Sequence, residues 1–107
     1  MHGRATILEI ATTNYEIDLE IVSKAMAELQ SLCEIKEGFL ISKPMERFGW
    51  AFFKVLIKIE LLSGMESKLG DQIAKSKGKK IEEKFVTFMT KFFESKNARV
   101  KVKLVDD

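Results

Sequence analysis

Gly49-Trp50-Ala51-Phe52-Phe53-Lys54-Val55-Leu56-Ile57-Lys58-Ile59-Glu60-Leu61 is the longest uninterrupted alternation in the chain. Phe53, Val55, Ile57, Ile59 and Leu61 share one parity; Phe52, Lys54, Leu56, Lys58 and Glu60 share the other. A period of two predicts a β-strand buried on one face. At about 3.3 Å per residue such a strand spans most of a small domain, so the other elements are expected to pack around it.

Upstream of it, Glu34 to Ser42 predicts a second strand, with Ile35, Glu37, Phe39 and Ile41 on one parity and Lys36, Gly38 and Leu40 on the other. The only proline, Pro44, cannot donate to a ladder and ends it, leaving a loop from Pro44 to Phe48 that leads into the long strand as a hairpin. Arg4 to Ala11 predicts the first strand, apolar at Ile7, Leu8 and Ile10 and therefore central in its sheet. Thr13 and Glu16 have the spacing of a capping box, and Ile17, Ile21, Val22, Ala25, Met26, Leu29, Leu32 and Cys33 continue at helical steps.

Downstream the period changes. Ser63-Gly64-Met65-Glu66 is a second capping-box pattern, and Met65, Leu69 and Ile73 predict a short helix weakened by Gly70. Lys75-Ser76-Lys77-Gly78-Lys79-Lys80 predicts a break or a kinked continuation, and a further helix is expected from Lys80 to Ser95. Its main stripe is Ile81, Phe85, Phe88 and Phe92, widened by Val86, Met89 and Phe93, with Phe93 expected partly exposed. Ala98, Val100, Val102 and Leu104 alternate with Arg99, Lys101 and Lys103 in a last strand from Ala98 to Val105.

The order strand, helix, strand, strand, helix, helix, strand predicts a two-layer α+β sandwich. Its simplest form is a ferredoxin-like βαββ(α)αβ plait, with a four-stranded antiparallel sheet and one open sheet face. Right-handed crossovers place the first and the long strand side by side in the middle. A chain of 107 residues with 46% hydrophobic residues suits a single domain covering residues 1–107. Its 18 basic and 16 acidic side chains nearly cancel to +2, so any preference for a charged partner must come from local clustering. The lone cysteine, Cys33, fits a reducing cytoplasm, and no apolar run reaches the roughly 18 residues of a membrane span, so a cytoplasmic, non-membrane protein is expected.

With the apolar parity turned to the helices, the open face carries Lys36 and Leu40, then Trp50, Phe52, Lys54, Leu56 and Lys58, then Arg99, Lys101 and Lys103, against Glu60 and Glu9 as its acids. Aromatic rings interleaved with bases suit RNA or single-stranded nucleic acid: bases stack on rings and phosphates meet cations. The candidate nucleic-acid-binding residues are therefore Trp50, Phe52, Lys54, Lys58, Arg99, Lys101 and Lys103.

Gly49-Trp50-Ala51-Phe52-Phe53-Lys54-Val55 resembles the RNP1 strand of RNA recognition motifs. Gly49, Ala51 and Phe52 match the pattern, Trp50 and Phe53 are aromatic and apolar substitutes, Phe48 stands where the pattern has a base with Arg47 beside it, and Val55 replaces its last aromatic. The resemblance implies that Trp50 and Phe52 stack bases. It covers about seven residues; the first strand lacks the family's aromatic, and the second crossover is longer than the family's.

The same surface has a second reading. Trp50, Phe52, Leu56 and Leu40 form an apolar patch that another copy of the chain or a larger protein complex would cover, since contiguous patches of several hundred Å² are rarely left exposed. Lys36, Lys101 and Lys103 would then guard strand edges. The phenylalanine stripe gives a third, more distant option, sensing of a small apolar ligand. The lysines from Lys75 to Lys80 suit either a phosphate clamp or a solvated loop, and they lack the glycine pattern of a phosphate-binding loop. No enzyme activity, cofactor or metal is expected: His2, the only histidine, stands near the N-terminus, Cys33 has no base nearby in sequence, and no acids cluster at ligand spacing.

Overall fold

The computed structural model describes residues 5–105, so the expected strand start at Arg4 and the stretch carrying His2 lie outside the described residues. Among the described residues the elements run β1 (Thr6–Thr12), α1 (Tyr15–Cys33), β2 (Phe39–Ile41), β3 (Met45–Arg47), β4 (Trp50–Ile57), α2 (Ile59–Ala74), α3 (Ile81–Ser95) and β5 (Lys101–Val105). Three helices pack on an open antiparallel sheet in the order β2-β4-β1-β5, and β3 joins β4 on the same side as β2.

The sheet has five strands where four were expected, because the partner of β4 at its edge is split. Ile41 lies opposite Val55 and Met45 opposite Phe52, so Ser42, Lys43 and Pro44 face only Phe53 and Lys54. One extra residue in one strand is a bulge, and proline is tolerated there because it has no N–H to contribute. Ser42 holds the seam together: its N–H donates to the Lys54 carbonyl at 2.9 Å, and its Oγ accepts the Lys54 N–H at 2.8 Å. Beyond the bulge, Phe48 (φ 53°) and Gly49 (φ 80°) turn the chain into β4. Two successive positive φ angles make a two-residue type I′ hairpin, whose twist matches that of its strands.

The long alternation also ends earlier than expected. β4 stops at Ile57, and Ile59, Glu60 and Leu61 are the first turn of α2. Leu61, Met65, Leu69 and Ile73 form its buried stripe, so Leu61 satisfies a helical repeat as well as the strand parity. Lys58 is the junction: its backbone is extended, its N–H donates to Gly38 O at 2.8 Å, and it caps α2. The Ser63 capping box is thus interior to a helix. Residues 34–38 are loop and not strand, with Glu34 and Glu37 at positive φ.

At the start of α1 the predicted Thr13 box is replaced by a network through Thr12. The Thr12 hydroxyl accepts the Asn14 N–H at 2.9 Å and donates to the buried Asp18 carboxylate, which also receives the Arg99 N–H at 3.3 Å. In α3 the buried stripe is Phe85, Met89 and Phe93, while Ile81 is exposed; Phe93, expected to be partly exposed, is fully buried. The core joins one parity of β1 and β4 (Leu8, Ile10, Phe53, Val55, Ile57) to Val22, Met26 and Leu29 of α1, the α2 stripe and the α3 stripe. Full burial of each such side chain contributes about 1.5–3 kcal/mol. The other parity of the sheet is left on an uncovered face.

Candidate functional site

The strand registers define the open face residue by residue. Across its middle, Lys54 of β4 and Lys103 of β5 flank Glu9 of β1. On one side of that charged row lie Leu40, Leu56, Ile7 and Val105, one from each of four strands. On the other side lie Met45, Phe52, Ala11 and Lys101, followed at the sheet's end by Arg47 and Trp50. Strand pairing thus brings Trp50, Phe52, Lys54, Lys101 and Lys103 onto one surface. Two half-buried rings, two residues apart on β4, are bordered by cations on β3, β4 and β5.

Lys101 does more than border the rings. Its Nζ lies 5.1 Å from the centroid of the Trp50 ring, a cation–π contact that places an ammonium beside the indole. Beside this pair a shallow cleft of about 690 Å³ is lined by Thr13, Trp50, Glu94, Asn97, Arg99 and Lys101. Arg99 is therefore at the rim of the face and not in a strand: it belongs to the connection between α3 and β5, anchored by its N–H to Asp18. Lys58 is likewise displaced, sitting half-buried at the junction of β4 and α2, at the opposite end of the strand from Trp50. Lys36 falls in the loop after α1, and Glu60 in α2, so neither is on the sheet.

Three residues of this surface escape a parity reading of the sequence. The bulge at Lys43-Pro44 shifts the edge by one residue, so that the odd-numbered Met45 and Arg47 share a face with the even-numbered Leu40, Phe52 and Trp50. Met45 is 60% exposed. Phe48, at the hairpin tip, is 94% exposed. The signal for the bulge was Pro44 itself, in a stretch otherwise able to pair.

Other features of the sequence fall away from the face. Of the phenylalanine stripe, Phe88 and Phe92 stack with centroids 6.2 Å apart on α3, and Lys96 lies 5.4 Å from the Phe92 ring, on a half-buried helix surface. Cys33 is buried, and burial pushes its thiol above the usual range, with the Lys68 ammonium opposing more weakly. Among the described residues no three of His, Cys, Asp and Glu are grouped so as to hold a metal ion, and no helix is long and apolar enough to cross a membrane. No family model, curated protein or solved structure matches the chain.

Proposed function

We propose that this chain is a ferredoxin-like, non-enzymatic binding domain of the cytoplasm whose open sheet face takes RNA or another single-stranded nucleic acid. The observation that carries the reading is the pairing of half-buried Trp50 and Phe52 on β4 with Arg47, Lys54, Lys101 and Lys103 around them, against Glu9 between Lys54 and Lys103 and Glu94 in the cleft beside Trp50. Rings on adjacent same-face positions of a strand offer successive stacking platforms, and cations at their margins meet the backbone between bases. The likeness of Gly49 to Val55 to an RNP1 strand supports the same assignment of Trp50 and Phe52. The strand order β2-β4-β1-β5, with β3 as a continuation of the β2 edge, supports the ferredoxin-like description.

Stacking on a ring is worth about 1–3 kcal/mol per base. Trp50→Ala is therefore expected to weaken binding of a fluorescein-labelled single-stranded RNA, read by anisotropy, by about 5- to 150-fold. Affinity unchanged in both Trp50→Ala and Phe52→Ala would remove the reading.

A second reading is favoured by one observation, the apolar row Leu40, Leu56, Ile7 and Val105 on the far side of the charged row. Leu40 is 57% exposed there. That row suits a homodimer or a larger protein complex. Light scattering on a size-exclusion column tests it: a monomer at all concentrations, with Leu56→Asp changing nothing, would dismiss it.

A further inference from the structure

We infer that Phe48, at the tip of the β3–β4 hairpin, is a third stacking position for a single strand of nucleic acid, continuing the path of Phe52 and Trp50 beyond the end of the sheet. The inference rests on the nucleic-acid reading of the face. Two independent observations single Phe48 out. It is 94% exposed, far more than the other exposed large apolar side chains among the described residues, such as Met45 and Ile81 at about 60%. It also holds φ at 53°, a left-handed conformation that suits Gly or Asn and disfavours a bulky side chain.

The turn it occupies prefers Asn-Gly. Gly49, at φ 80°, meets its half of that preference. Phe48 does not, and its ring gains no burial to offset the strain. An aromatic held where both exposure and backbone oppose it points to use outside the fold. Its surroundings choose the occupant: the strands it joins bring Arg47 and Trp50 together, and Lys101 lies over the Trp50 ring. A turn flanked in the chain by a guanidinium and by an indole that carries an ammonium over its ring matches a chain of bases joined by phosphates.

The decisive variant is Phe48→Asn, which installs the preferred turn pair while removing the ring. It is expected to raise the melting temperature and at the same time weaken binding of a short fluorescein-labelled single-stranded RNA at low salt by about 5- to 150-fold. Phe48→Trp keeps a ring and is expected to bind within about threefold of the parent chain. A merely structural role cannot lower affinity while stability rises. RNA affinity of Phe48→Asn within about twofold of the parent, while Trp50→Ala loses binding, would overturn this inference and leave the face reading intact. Absence of RNA binding by the parent chain would overturn both. A change in association state in Phe48→Asn with RNA affinity retained would assign the ring to a protein contact and overturn the inference.

Discussion

Cys33 shows how placement decides chemistry at a single residue. It is buried on α1 beside Gly64 of α2, where a Cβ on Gly64 would stand 2.9 Å from the Cys33 Cβ. Desolvation raises its pKa more than Lys68 lowers it. The thiolate is the nucleophile, so the folded chain at pH 8 is expected to react with iodoacetamide at least about tenfold more slowly than the chain in denaturant. Equal rates would contradict the burial. The sign for stability follows: below the unfolded thiol pKa both states are protonated and nothing is lost. Above it the unfolded chain gives up its proton first, so stability falls as pH rises. Burial of Cys33 was readable from its helical spacing. The buried role of Asp18 was not: two of its partners, Thr12 and the Arg99 N–H, come from β1 and from a segment 81 residues away in sequence. Local pattern offers only its position in the first turn, where an acid is favoured on dipole grounds alone.

Among the elements, period was the reliable guide and boundaries were not. α1 and α3 are where helical spacing put them and β4 begins where the alternation does, because one buried face on each imposes its period on many residues at once; β1, expected from an apolar segment without clean alternation, alternates buried and half-buried residues in the fold. The junction of β4 and α2 was misplaced because Leu61 fits both repeats; the Lys58 N–H to Gly38 O bond carries the register of Phe39 opposite Ile57 one pair further before α2 begins at Ile59. The β2–β3 edge was misplaced for a different reason. A bulge shifts parity without changing composition, so Met45 and Arg47 could not be assigned to a face from the sequence. α2 also carries a testable weakness. Gly70 is interior to the helix, and a Cβ there would touch nothing within 4 Å. Gly70→Ala is therefore expected to stabilise the chain by about 0.5–1 kcal/mol, seen as a higher urea midpoint with an unchanged slope. Destabilisation would mean that α2 packs more tightly at Gly70 than the structure shows.

For the whole molecule, the division of labour follows from a sheet covered by helices on one side alone. Apolar parity builds the core, and the opposite parity is free to carry function. That face was legible to the extent that parity survived: Trp50, Phe52, Lys54, Lys101 and Lys103 share it, whereas Lys58 and Arg99 sit at its ends, where the strands have given way to a helix cap and a connection. Glu9, flanked in register by Lys54 and Lys103, also tempers the charge of the surface. The cations grouped on the strands are consequently Arg47, Lys54, Lys101 and Lys103, and salt dependence is the property that counts them. Single strands give a slope of about −0.7 in log K against log salt for each phosphate neutralised, so four contacts predict a slope of about −3. Trp50 is the only tryptophan, and its emission reports on the face directly. Titration of single-stranded RNA at low salt while following Trp50 fluorescence is predicted to give saturable quenching that weakens with salt at that slope; emission that does not change at any RNA concentration in low salt would contradict a nucleic-acid-binding face.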